Sequence, residues 1–126
     1  MSPKLEKKLF TRFKKFFAQR GLPMTQTAMC WGIDCGDGWF RIIWDACVKI
    51  EKEISSNLIV PDFQFVQIKE KFGGLRLYSN GTISAIYTIM YRAERKSVKT
   101  CELCGKPGKI SNDGWSRCRC NKCKDS

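Results

Sequence analysis

Five of the eight cysteines of this 126-residue chain fall between residues 101 and 123. Cys101-Glu102-Leu103-Cys104 and Cys120-Asn121-Lys122-Cys123 are two C-x-x-C pairs separated by fifteen residues. In a tight turn, cysteines at i and i+3 aim their sulfurs at one centre. Two such knuckles at this separation are the pattern of a four-thiolate zinc site. Gly105 follows the first pair and suits the unusual backbone of such a turn. Four thiolates at about 2.3 Å close a tetrahedron and leave no position for water. The expectation is therefore one structural Zn²⁺, with disulfides and free thiols as the competing readings. Cys118 cannot join all four on the same ion. It is either a strand residue on the ribbon or a substitute ligand, and Cys120 is preferred because it completes the C-x-x-C with Cys123.

Composition points to a reducing compartment. The opening Met1-Ser2-Pro3-Lys4-Leu5-Glu6-Lys7-Lys8 lacks the apolar stretch of a secretory leader. No apolar run approaches the ~20 residues that cross a bilayer. Eight cysteines without a secretory route favour metal over disulfides, so a cytoplasmic protein with no membrane partner is expected. The charge is lopsided, with 23 Lys and Arg against 12 Asp and Glu, a net +11. Residues 1–24 carry +6, 25–62 carry −3, 63–98 carry +4 and 99–126 carry +4. Such an excess suits phosphates or an acidic protein surface as partner, although a solvated lysine-rich surface has the same composition.

Apolar spacing organises the rest. Leu5, Leu9, Phe13, Phe16 and Phe17 recur at near-helical intervals and predict a first helix over 5–20, stopped by Gly21. Residues 21–36 read as loop. A second helix is expected from Asp37 or Gly38 to Ser55, with Asp37 as N-cap and Trp39, Phe40, Ile43, Trp44, Cys47, Ile50 and Ile54 as its stripe. Cys30, Cys35 and Cys47, irregularly spaced and without histidine, read as buried free thiols more readily than as a second metal site. After a linker ending at Pro61, Phe63 to Lys69 reads as a strand, with Phe63 and Phe65 on one face and Val66 and Ile68 on the other. Gly73-Gly74 turns the chain, Leu75 to Tyr78 returns it, and Ser79-Asn80-Gly81 closes the hairpin. A third helix is expected over 82–98, with Ile83, Ile86, Tyr87, Met90 and Ala93 inward, followed by a ribbon with a turn at Asn112-Asp113-Gly114. The fold class is α+β: three helices, a central β-hairpin and a C-terminal four-cysteine zinc ribbon. It divides into a helical and hairpin domain over 1–98 and the ribbon over 99–126.

Three segments carry a resemblance. They are Gly32-Ile33-Asp34-Cys35-Gly36-Asp37-Gly38-Trp39, Gln67-Ile68-Lys69-Glu70-Lys71-Phe72-Gly73-Gly74-Leu75-Arg76-Leu77-Tyr78, and Thr100-Cys101-Glu102-Leu103-Cys104-Gly105-Lys106-Pro107-Gly108. Over roughly residues 29–123 the chain resembles a family of small bacteriophage and prophage proteins. That family pairs G-x-x-C-G-D-G-W and Q-x-K-E-K-F-G-G-L-R-x-Y motifs with a C-terminal C-x-x-C … C-x-x-C/H ribbon. The family pattern seldom has cysteine at position 118, which implies Cys120 and Cys123 as ligands. The resemblance implies origin more than activity, and the lysine-rich first helix lies outside it.

Enzymatic chemistry finds little support. The chain has no histidine, which removes the commonest general base and the Ser-His and Cys-His nucleophile pairs. Asp62, Gln67 and Lys69 faintly echo a restriction-nuclease pattern, but only four residues separate Asp62 from Gln67, which would put both on one strand. Asp34 and Asp37 could hold a cation, and loop and cap roles explain them equally well. The hairpin is the better candidate. Lys69, Lys71 and Arg76 alternate with Phe72 and Tyr78 around its tip, and with Lys109, Arg117 and Arg119 of the ribbon they are expected to form one basic partner-binding face. Two functions fit. One is a non-enzymatic, phage-derived stoichiometric inhibitor of a host nucleic-acid-handling defence, CRISPR-Cas or restriction type, partnered by a host protein or ribonucleoprotein. The other is a small zinc-ribbon DNA- or RNA-binding protein of phage transcription or replication. Salt-dependent binding to bare nucleic acid separates them.

Overall fold

The computed structural model describes residues 1–57, 62–111 and 114–126; the linker end at Pro61 and the first two residues of the 112–114 turn lie outside the described residues. Helix α1, Pro3–Arg12, begins with proline near its start, where the missing N–H is no loss. It ends eight residues earlier than the aromatic spacing predicts. Phe13, Phe16 and Phe17 continue the buried stripe, but on turns, because the Phe16 carbonyl accepts the Phe65 N–H at 2.8 Å. A contact 49 residues away in sequence thus overrides local helix periodicity.

The expected loop over 21–36 contains a two-residue strand β1, Ile33–Asp34, too short to show a period. A single 3₁₀ turn, Asp37–Trp39, leads into helix α2, Phe40–Ser56. Asp37 does not cap that helix. Its Oδ1 accepts the Ser2 N–H at 2.7 Å and so serves the start of α1 instead.

Strand β2, Gln64–Lys71, lies between β1, parallel to it, and β3, Gly74–Asn80, antiparallel to it. A bulge between Phe65 and Gln67 shifts the register. Phe63, Phe65 and Ile68 are therefore all buried, and the expected opposition of Phe65 and Ile68 is corrected. Helix α3, Ser84–Ser97, packs along β3 and α2. Its Ser97 Oγ accepts the Leu75 N–H at 2.9 Å and its Glu94 Oε2 accepts the Leu77 N–H at 2.8 Å. Side chains of α3 thereby occupy the open edge of β3, where another chain could otherwise pair. Ile86, Met90 and Ala93 face the core, but Tyr87 is 63% exposed, because α3 is covered on one side only.

The core joins α1, α2, α3 and the sheet through Leu9, Phe17, Met29, Trp39, Ile43, Ile50, Phe65, Leu75 and Ile86. Each large apolar side chain fully buried there contributes roughly 1.5–3 kcal/mol. Cys35 and Cys47 are buried within it as free thiols, and Cys30 is half-buried. Strands β4, Lys109–Ser111, and β5, Arg117–Arg119, form the separate C-terminal ribbon. No described helix is long and apolar enough to cross a membrane.

Candidate metal centre

Each knuckle is a hydrogen-bonded turn. In the first, the Gly105 N–H reaches the Cys101 carbonyl at 2.9 Å and the Cys101 N–H reaches the Lys106 carbonyl at 2.8 Å, with Gly105 at φ +80°. In the second, the Cys123 N–H reaches the Cys120 carbonyl at 3.1 Å. The ribbon brings the turns together. The Sγ atoms of Cys101, Cys104, Cys120 and Cys123 all lie within 4.8 Å of one another, and those of Cys104 and Cys120 are 3.5 Å apart. A tetrahedral zinc with bonds of about 2.3 Å needs sulfurs roughly 3.8 Å apart, so the four fit one structural ion as the spacing predicted.

The electrostatics agree. Burial alone would raise the Cys101 thiol, yet backbone hydrogen bonds from Cys104, Cys120 and Leu103 bring it down to about 6. Cys120 is lowered as well, against its burial, by the Cys123 N–H and neighbouring thiols. Cys123 is pushed up to about 12, first by its hydrogen bond to Cys120. Four adjacent sulfurs cannot all shed protons without a cation among them, and a divalent metal supplies that charge. Cys118 is a buried residue of β5 outside this set, and it packs into the hydrophobic core. Burial pushes its thiol up. Among the described residues, no other group of three or more cysteine or acidic side chains converges in this way.

The first knuckle is docked on the core. The Gly38 N–H donates to the Glu102 carbonyl at 2.7 Å, and the Gly36 N–H donates to Glu102 Oε2 at 2.9 Å. Trp39 Nε1 donates to the Thr100 carbonyl at 2.9 Å. A Cβ at Gly38 would overlap the Cys101 carbonyl, and one at Gly36 the Glu102 carbonyl. The G-D-G-W segment is therefore the seat of the metal knuckle. Just before it, β1 holds the N-terminal segment: Ile33 N–H donates to Glu6 Oε2 at 2.6 Å, and the Met1 amino group to the Ile33 carbonyl at 3.0 Å. The division at residue 98 is one of sequence, and these contacts run across it.

The six cations expected on one face divide in two. Lys71 and Lys109 are exposed, while Lys69 and Arg76 are half-buried and pair across β2 and β3. Arg119 is committed inward: only 13% exposed, it lies 3.4 Å from Glu102. Arg117 bonds the Ser126 carbonyl at 2.9 Å. The hairpin tip and ribbon do meet, since a Cβ at Gly73 would touch the Ile110 side chain at 3.3 Å. Between them lies a cleft of about 540 Å³ lined by Glu70, Lys71, Phe72, Gly114, Trp115 and Ser116. Phe72 and Trp115 are 73% and 78% exposed. Charge counting did not single out Trp115, a large aromatic between Gly114 and Ser116 that the core does not take up. Compared with protein-family models, with curated proteins and with solved structures, the chain matches none of them.

Proposed function

We propose that the chain is a non-enzymatic, phage-derived binding protein that acts as a stoichiometric inhibitor of a host nucleic-acid-handling defence, CRISPR-Cas or restriction type. Its partner surface is the junction of hairpin tip and ribbon. The observation that carries this reading is the pair Phe72 and Trp115, two large aromatics held outward on one cleft beside Lys71. Tryptophan is among the residue types that dominate binding energy at interfaces, and phenylalanine is enriched there. The basic charge suits a site meant for phosphates, and the phage resemblance supplies the host context.

A second reading, a zinc-ribbon protein that binds DNA or RNA in phage transcription or replication, draws on the same aromatics, because bases stack on them. The test is a pull-down from host lysate with and without nuclease, using the parent chain and a Lys71→Glu/Arg76→Glu variant. Lys71 is exposed and Arg76 half-buried, so an unchanged circular dichroism spectrum of the variant is the control for folding. Under the inhibitor reading a protein partner survives nuclease treatment and binds the variant about tenfold or more weakly, a loss of about 1.4 kcal/mol. A partner retained equally by both forms makes the hairpin mere scaffold.

A further inference from the structure

We infer that the occupant of this face is a single nucleic-acid strand, stacked by its bases on Phe72 and Trp115. The inference rests on the reading of this junction as the partner surface and, of the two occupants weighed above, commits to the second, nucleic acid.

The first observation is backbone strain. Lys71 pairs with Gly74, so Phe72 and Gly73 are the two residues of the hairpin turn, at φ +54° and +86°. Positive φ at both positions is the turn that favours Asn-Gly. Phe72 is the only described non-glycine residue with positive φ, and a bulky side chain there is costly. Its ring buries little, being 73% exposed. The fold gains little apolar burial from a phenylalanine at this place, whereas a ligand that stacks on its ring finds an open face.

The second observation is a path. Phe72 lines two clefts, one of about 540 Å³ with Trp115 and one of about 330 Å³ with Arg76, Tyr91 and Arg95. Trp115, Phe72 and Tyr91 thus follow one another across ribbon, hairpin and α3, each more than half exposed. Successive aromatics beside cations match successive bases on a charged backbone. Lys71 Nζ lies 5.6 Å from the Phe72 ring centre and can reach a phosphate beside a stacked base. The two carboxylates that line these clefts are held by the fold: Glu70 accepts the Gly73 N–H at 2.7 Å and Glu94 accepts the Leu77 N–H. Lys71 and Arg95 remain for phosphate, while Arg76 is half-buried and donates to the Leu75 carbonyl at 3.2 Å. A duplex keeps its bases stacked inside and cannot use such a path, so the strand is single.

The test is fluorescence anisotropy of a short labelled oligo(dT), alone and in duplex, with the metal-loaded full chain. The single strand is expected to bind more tightly than the duplex, and to weaken with salt. Trp115→Ala and Phe72→Ala should each lower its affinity about tenfold, while Trp115→Phe retains most of it. Phe72→Asn separates binding from folding: it should raise Tm, because asparagine suits the turn, and still weaken the strand. Absence of oligonucleotide binding at low salt overturns the inference, as does a Trp115→Leu variant that binds like the parent. If oligonucleotides fail while a nuclease-resistant protein partner still depends on Lys71 and Arg76, the inference falls and the inhibitor reading stands. If both fail, the surface itself was misjudged.

Discussion

The helical and hairpin part of this chain and its C-terminal ribbon are held by different physics. Residues 1–98 surround a continuous core of buried aromatic and aliphatic side chains, whereas the described ribbon buries only Cys101, Cys118 and Cys120. The first part folds because water is excluded from it. The second part has no comparable apolar interior, so its shape depends on what four sulfurs hold and on the seat that Gly36 and Gly38 provide. Order without a core is achieved by ligation and close backbone contact.

Metal removal should break this contrast most. Structural zinc in small ribbons contributes roughly 10–16 kcal/mol at neutral pH. Elemental analysis should find one zinc per chain, and Cys101→Ser should release it. Hydrogen exchange should then rise across 99–126 while the helical circular dichroism signal of the core persists. Unchanged protection of the ribbon in metal-free protein would refute the division.

A smaller effect is expected at the seat. Gly38→Ala forces a methyl group against the Cys101 carbonyl, and overpacking of this kind costs about 1–3 kcal/mol or more. Trp39→Phe leaves the Thr100 carbonyl unpaired, about 1–3 kcal/mol, and opens a cavity where the indole was fully buried. Urea unfolding should place both variants below the parent. Equal midpoints for Gly38→Ala and the parent would show that the knuckle is not seated there.

The smallest effect is one of pH and belongs to the core. Burial pushes the Cys35 thiol from 9.0 up to about 12, and burial raises Cys47 as well. A folded-state value above the unfolded one gives stability that is complete below about pH 8.5 and lost as pH rises through the folded values. Urea midpoints should therefore fall between pH 8 and 10, by at most about 1.4 kcal/mol per unit per thiol. Cys35→Ala should flatten that slope. A midpoint constant over this range would mean that these thiols ionise freely in the folded chain.

What the sequence made legible follows the same contrast. Helices α2 and α3 and the hairpin have strong local periods, and the ligand set follows from spacing alone. The misses lie where distant backbone decides. The bond from Phe65 to the Phe16 carbonyl ends α1 early, and the bulge after Phe65 carries no turn residue. Asp37 has the composition of a cap for the helix that follows it and serves the one before. Among the cations of hairpin and ribbon, residue counting could not separate Arg119, turned toward Glu102, from Lys71, which stays in water.

The G-D-G-W seat has a consequence for anyone who maps this protein by saturating mutagenesis. Gly36, Gly38 and Trp39 touch the metal knuckle, while Ile33 and Asp37 bind α1, so one short stretch joins the two ends of the chain. Substitutions there should abolish function as thoroughly as in a catalytic loop. The stretch would score as an active site although it is a keystone, and the true contact residues, tolerant of change as far as folding goes, would be revealed only by an assay that reads binding separately from abundance.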